Sequence, residues 1–528
     1  MDSRRAAIAP HHLLSLPEPA ARAAKIVRKN VQRAASGMLG LSGQRMSKVD
    51  TAWLRMDCDH NRMMINGVWT LAPGITWQAL CERVQERLLK YPRFRQRVVQ
   101  DAAGATWVDD DHFDIAAHVV REKLPHRKGQ SQQQALQERV GELAMQSLDG
   151  RRPLWQIHLI ENFTGDDGVA GSALIVRIHH CIADGIALIS VTMSLVDGGS
   201  APPQRRAKPE PHHSPEEWLA DALIKPITDM AVKALDMAGD GAAQSLHLLR
   251  EPEKLLEHGL ASSVDAARLA YQLVSDAAAL ALMPDDSHTR LKGQPGEVKR
   301  VAWCPPVPLD AVKNVGRALN CSINDVLMSC VAGAIGNYLR AQGDDPSGQE
   351  IRAMIPINLR PLEEAWKLGN RFGLVPLVLP IGIANPIERL YEVRRRMNAL
   401  KGSTQPLLAF AMLSMAGMLV KPAQDALINL FGRKTTAVMT NVPGPQEALT
   451  LCGARVTQCM FWVPQSGDIG LGVSTLSSGG GVQFGVMSDT ALCPEPQAII
   501  DAFTPEFEQL ALLTLMLPWG DEENAKCY

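Results

Sequence analysis

Apolar residues recur along this chain with two different periods, and the changes between them mark its elements. Residues 76–90 keep the three-to-four spacing of a helix with one buried face. Residues 155–161 (WQIHLIE) and 173–178 (ALIVRI) are short runs rich in branched and aromatic side chains and read as strands. The second run ends at His179 and His180. A short turn follows, and residues 184–196 return to helical spacing. The pattern therefore predicts a strand that hands over to a helix through a histidine turn.

Beyond residue 200 the pattern changes. Residues 201–213 are polar and proline-rich, as in a linker. Ser214-Pro-Glu-Glu217 is a capping box with proline at the first helical position, so a helix is predicted there. Residues 214–283 carry helical composition with no strand signal and read as a bridge between two sheet-containing halves. The second half begins near 298. It has a predicted helix at 323–339, capped by Ser322, and strands at 352–358, 372–379, 435–440, 455–462, 469–475 and 482–487. Gly479–Gly481 forms a turn between the last two strands, and a helix at 496–515 closes the pattern. The implied division is an extension at 1–40, an N-terminal domain at 41–200, a linker and helical bridge at 201–297, a C-terminal domain at 298–520 and a tail at 521–528. No tandem repeat of 20–50 residues is present.

The extension has its own pattern. Ala20, Ala24, Val27, Val31, Ala34 and Met38 recur at helical spacing, with Arg22, Lys25, Arg28, Lys29 and Arg33 between them. This predicts a basic amphipathic helix, suited to an anionic membrane surface or to docking on its own protein. The longest nearly apolar run, 407–420, has 14 residues broken only by Ser414. A bilayer span needs about 20, so no transmembrane helix is predicted.

Composition removes several function classes. The 528 residues hold 54 basic against 56 acidic side chains, a net charge of −2, which gives no argument for nucleic acid. The ten cysteines are scattered without a CxxC pair, as expected of free thiols in a reducing cytosol. No GxSxG elbow, Walker A loop or GxGxxG fingerprint is present.

All fourteen histidines lie at or before His288, so a histidine base must come from the first part of the chain. His158 falls mid-strand, where a core or sheet-face role is expected. The pair in HHCIADG admits two readings: ordered structural histidines, or a general base presented by the turn, with the Asp184 carboxylate holding the loop in shape. Metal binding by His179, His180 and Asp184 is disfavoured, because adjacent residues on an extended segment point to opposite sides. Cys181 raises a covalent thiol route, yet buried cysteine is often only a small apolar residue. Asn324-Asp325, LGNRFG at 368–373 and TNVPGP at 440–445 each allow an ordinary helix-start or turn explanation.

Taken together and in order, these stretches resemble the bacterial wax ester synthase/acyl-CoA:diacylglycerol acyltransferase family. The resemblance is carried by MSKVD at 46–50, PLW at 153–155, HHCIADG at 179–185, KRVAW at 299–303 and SINDVL at 322–327. It continues through PINLRP at 356–361, LGNRFG, TNVPGP, MFWVPQSGDIGLGVS at 460–474 and FGVMSD at 484–489. HHxxxDG alone is shared with the wider CoA-dependent acyltransferase superfamily. The first 40 residues and the tail depart from the pattern.

This resemblance implies an α/β (α+β) protein with a two-domain chloramphenicol-acetyltransferase-like fold, mixed sheets flanked by helices and an active-site channel between the halves. It implies transfer of a long-chain acyl group from acyl-CoA to diacylglycerol, a long-chain alcohol, or both. His180 would be the proton acceptor, with His179 and Asp184 in support. Arg360 is the expected partner of Asp184. Gly185 is expected to permit close packing beside the base, and Asn324, Asp325 and Asn441 to shape the site. An apolar tunnel should take the acyl chain, with 407–420 either lining it or serving as a core helix. No metal and no cofactor are implied, acyl-CoA being a co-substrate. Peripheral contact with the inner face of the membrane or a lipid inclusion, from a cytoplasmic location, is also expected. A condensation-type acyltransferase for a specialised lipid and a non-catalytic lipid-binding homologue are the competing readings.

Overall fold

The computed structural model describes residues 43–199 and 283–516, apart from 102, 103, 126, 362, 363, 365, 402, 418 and 420. The predicted basic helix at 20–38, the linker and bridge up to residue 282 and the tail at 521–528 lie outside the described residues.

In the first half the strands are β1 (Gly43–Arg45), β2 (Met64–Ala72), β3 (Gln96–Asp101), β4 (Gly104–Asp109), β5 (Val119–Arg121), β6 (Trp155–Thr164) and β7 (Ala170–His179). The helices there are α1 (Lys48–Met56), α2 (Trp77–Arg87), α3 (Gln132–Met145) and α4 (Gly185–Leu195). The second half adds strands β8 (Lys299–Trp303), β9 (Val307–Pro308), β10 (Ile351–Asn358), β11 (Phe372–Leu379), β12 (Ala437–Pro443), β13 (Thr450–Leu451), β14 (Ala454–Trp462), β15 (Leu471–Ser478) and β16 (Gly481–Asp489). Its helices are α5 (Leu309–Ala318), α6 (Ile323–Ala341), α7 (Pro386–Leu400), α8 (Gln405–Ala416), α9 (Lys421–Arg433) and α10 (Pro496–Leu515).

Two large sheets organise these elements. One runs β13-β14-β2-β7-β6-β5, and the other runs β11-β10-β12-β15-β16-β8 with β9 also on β16. A small sheet, β1-β4-β3, stands apart. The strand at 455–462 is real, but it leaves the second-half sheet and pairs with β2 in the first, Cys459 facing Trp69 and Phe461 facing Gly67. The halves are therefore interlocked rather than merely apposed. Gly479 and Gly480, at φ +59° and +81°, make the β15–β16 turn in a conformation that side chains resist.

A sheet strand buried on both faces reads as continuous apolar sequence, and β7 does. Its two faces serve different cores. Ala173 and Ile175 pack with Leu136, Val140 and Leu143 of α3, and with Val301, Trp303 and Met460 from the second half. Leu174 belongs to a second core, with Trp155, Leu80 and Val84. A third core fills the second half around α6 and α10. Helix α3 comes so near the second half that a Cβ on Gly141 would sit 2.4 Å from the Lys299 carbonyl.

A buried polar clamp also joins the halves. Lys299 donates to Asn61 Oδ1 at 2.9 Å and lies 3.3 Å from Asp489 Oδ2. Asn61 donates in turn to the Gly467 carbonyl at 2.8 Å. Removing one partner of a buried pair strands the other charge away from water, at about 3–5 kcal/mol. Lys299→Ala is therefore expected to lower unfolding free energy by about that amount, measured by urea titration. An unchanged midpoint would show that the clamp contributes nothing.

Candidate active site

The histidine turn is built by the end of β7. The last ladder pair sets His179 opposite Met64. The His179 amide donates to the Leu154 carbonyl at 3.0 Å and the His180 amide to the Met63 carbonyl at 2.8 Å, so both histidines are held by neighbouring strands. The Ile182 amide then closes on the His179 carbonyl. Asp184 caps α4, its Oδ1 accepting from the Ala187 amide at 2.9 Å, which satisfies a donor the helix leaves unpaired.

A loop of the second half, residues 359–371, closes over this turn. Arg360 lies in it, 3.0 Å from Asp184 Oδ2, with both side chains almost fully buried. The same oxygen accepts from the Arg371 amide at 3.0 Å. Arg360 also donates to the carbonyls of Gly369 and Lys367. Gly369 joins Ala183 in a parallel bridge, donating to the Ile182 carbonyl and accepting from the Asp184 amide. Burial pushes the Asp184 carboxyl up from its ordinary value; the Arg360 guanidinium and the Ala187 and Arg371 amides oppose that rise.

A second set of contacts, which the sequence did not single out, grips the turn from the other side. Asp50, in the first turn of α1, accepts from the Asn370 amide and side chain at 3.0 and 2.8 Å. Asn370 Nδ2 also donates to the His180 carbonyl at 2.7 Å. Arg93 lies 3.1 Å from Asp50 Oδ2 and donates to the Ile182 carbonyl at 2.7 Å. Both Asp50 and Asn370 stand in motif-like stretches of the sequence. What those stretches lacked was any sign that they meet.

The His180 imidazole stacks on Trp53, with centroids 4.1 Å apart, and meets Phe372 of the second half at 5.7 Å. Its Nδ1 is buried without a hydrogen-bond partner. Burial lowers the ring to about 4, with His179 adding to the shift and hydrogen bonds involving its own backbone and Asn370 opposing it, so it is neutral at physiological pH. His179 accepts the Cys181 amide on Nδ1 at 3.2 Å and is likewise lowered to about 4 by burial. It braces the turn from within. The Cys181 thiol is fully buried and pushed well above its usual value, which removes it as a nucleophile. His158, on β6, lies 2.9 Å from Glu122, in the structural role expected. Among the described residues no cluster of three or more His, Cys, Asp or Glu is placed to hold a metal ion.

An apolar cavity begins beside the turn. It encloses roughly 1270 Å³ of empty space, part of it open to solvent. Ile178 and Gly185, which flank the turn, both line it; His180 itself does not. The floor is one face of the first sheet, with walls from α2, α4 and the 444–463 region.

Two expectations need correction here. A Cβ on Gly185 would meet nothing within 4 Å, so this glycine leaves cavity space open instead of allowing close packing. Asp325 makes a reciprocal capping box with Ser322 at the start of α6. Asn441 donates to Asn324 across from it. None of these three lines the cavity or bonds to the histidine turn. Helix α8, from the apolar run at 407–420, packs on α1 and β11 and takes no part in the lining.

A histidine turn of one sheet lobe, clasped by a loop of the other, fits a chloramphenicol-acetyltransferase-like two-domain fold. Solved structures share the fold. The wax ester synthase/diacylglycerol acyltransferase from Marinobacter aquaeolei VT8 matches with a TM-score of 0.58 and 18% identity, covering 89% of this chain and 100% of that one. The first condensation domain of the calcium-dependent antibiotic synthetase matches at 0.53 and 12%, covering 90% and 96%. A protein of Mycobacterium tuberculosis (strain ATCC 25618 / H37Rv) named "Probable diacyglycerol O-acyltransferase tgs1" is 28% identical over 458 residues, 84% of this chain and 90% of its own length. The family model for the wax ester synthase/diacylglycerol acyltransferase catalytic domain matches residues 46–327, and that for the WS/DGAT C-terminal domain matches 368–511. The chain belongs to the wax ester synthase/diacylglycerol acyltransferase family, and it is an acyltransferase.

Arg360 spans a carboxylate and two carbonyls with one planar fork, which a lysine ammonium cannot do. Arg360→Lys is expected to keep the charge yet let the turn shift, with transfer falling on the order of 10–100-fold while the protein stays folded by circular dichroism. Full turnover in that variant would deny the clasp a part in positioning the base.

Proposed function

We propose that the protein moves a long-chain acyl group from acyl-CoA directly onto the hydroxyl of diacylglycerol or a long-chain alcohol, with His180 as the base. The observation that carries this reading is a neutral, buried imidazole held at the seam of the two lobes, touching both. The hydroxyl oxygen attacks the thioester carbonyl as its proton passes to His180. The C–O bond forms, the C–S bond breaks, and the imidazolium returns the proton to the departing sulfur as CoA thiol. Proton removal must accompany attack, because an alcohol is far too weak an acid to ionise first; such base catalysis supplies roughly 10²–10⁴-fold. The buried Cys181 thiol supports a route without an acyl-enzyme.

Location at the membrane face or a lipid inclusion, from the cytoplasmic side, belongs to the same proposal. Leu512, Leu515 and Met516, at the end of α10, are exposed apolar side chains, and the basic pattern at 20–38 adds a charge suited to anionic lipid. No single helix among the described residues is long and apolar enough to cross a membrane.

Purified protein with palmitoyl-CoA and either dioleoylglycerol or hexadecanol should form ester, and His180→Ala should lose at least 10²-fold while remaining folded. A folded variant with near-normal transfer would remove His180 from the role.

The pH profile is a separate check. With the imidazole lowered to about 4, the base is neutral above about pH 5 and becomes protonated only below it. Activity on kcat/KM should be level from about pH 6 to 8 and decline on the acid side below about pH 5. An acid limb centred near 6.5 would contradict a buried, desolvated base.

A further inference from the structure

We infer that the apolar cavity of the first lobe holds an unbranched alkyl chain of a substrate, and that Gly67 is the gap over which that chain crosses the sheet. The inference rests on the acyl-transfer reading above and adds where the chain lies.

Gly67 sits mid-strand in β2, between Val176 of β7 and Phe461 of β14. Glycine weakens a strand interior and is usually kept there for a close backbone approach or an unusual φ. Neither applies. Its φ is not among the positive values. A Cβ built on it would find its nearest neighbours, Met460 O, Val176 Cβ and Phe461 Cβ, at 3.7, 3.7 and 3.9 Å, ordinary contact distances. Gly171, on the neighbouring strand, is the contrast: a Cβ there would lie 1.8 Å from the Leu71 carbonyl. What Gly67 provides is space. Ile65 and Trp69 line the same cavity from the same strand face, so the missing side chain is a notch in its floor.

The lining says what the notch admits. It is almost wholly aliphatic and aromatic, with Arg83 as its one charged side chain. That guanidinium is spent elsewhere, on the Leu195 carbonyl and on Asp197, each at 2.7 Å. Thr192 and Ser478 are its hydroxyl side chains, so a strongly polar or charged ligand finds few partners there, whereas methylenes gain from leaving water. Ile178 and Gly185, on either side of the histidine turn, are among its lining residues, which sets one end of the cavity close to that turn.

The same chemistry could come from the acyl donor or from the acceptor, and one experiment separates them. Gly67→Leu fills the notch; Gly67→Ala fills it partly. Each protein is assayed with butyryl- to palmitoyl-CoA at fixed hexadecanol, and with butanol to hexadecanol at fixed palmitoyl-CoA. Each methylene denied apolar cover should cost about fourfold in kcat/KM, the equivalent of about 0.8 kcal/mol. In one series Gly67→Leu should cut the preference for long over short chains at least tenfold, with Gly67→Ala intermediate and the melting midpoint unchanged or raised. The series that shifts names the occupant. Uniform loss across both series, or no change in either, overturns the inference. If the unaltered protein transfers nothing, the acyl-transfer reading fails by itself, and calorimetric titration with palmitate decides the cavity. Binding weakened tenfold by Gly67→Leu supports the inference; equal binding overturns it.

Discussion

The buried ion pair between Asp184 and Arg360 is the constraint on which the site depends. Taking two charges out of water is costly, and such a pair is worth little unless hydrogen bonds satisfy what remains. Here they do. Asp184 accepts from two backbone amides besides Arg360, and Arg360 donates to two carbonyls besides Asp184. Every one of these groups lies on the histidine turn, on α4 or on the 359–371 loop. The pair therefore fixes three things with one geometry: where the histidine turn stands, where α4 begins its wall of the cavity, and how the second lobe meets the first. Asp50, Arg93 and Asn370 repeat the design on the other side of the turn.

Much of this was legible in the sequence for reasons that can be stated. Strand β7 and helix α4 were visible because their apolar periods differ and a short polar turn separates them. Arg360 was named as the partner of Asp184 through a family resemblance, and the two lie 3.0 Å apart; no spacing rule could have found a contact across 176 positions. Strand β14 was visible as a strand but not as a member of the other sheet, since alternation reports burial and says nothing of which edge a strand joins. Asn324 and Asp325 looked like site residues because Asn-Asp at a helix start is also capping chemistry, and for Asp325 the cap is what the fold uses. Gly185 was misjudged for a related reason. A glycine signals either a close approach or an empty space, and only the neighbours in three dimensions distinguish them.

In the proposed mechanism, burial of His180 has a chemical consequence that would tie fold to reaction. An imidazole lowered to about 4 is always available to accept a proton at neutral pH, yet holds that proton weakly. A weakly held proton is a disadvantage if the imidazolium must persist. It is an advantage if a stronger base appears beside it in the same step. Breaking the C–S bond supplies such a base, the CoA thiolate, whose ordinary affinity for a proton lies well above that of this ring. Under the proposed mechanism, such a site would favour one concerted passage of the proton from hydroxyl to sulfur, with no long-lived charge between Trp53 and Phe372. Because those two rings come from different lobes, any separation of the lobes would let water reach the imidazole, raise its affinity for the proton and slow the second half of that passage. The clasp around Asp184 ties the two lobes together around His180, and the proposed transfer depends on the dry contact it maintains.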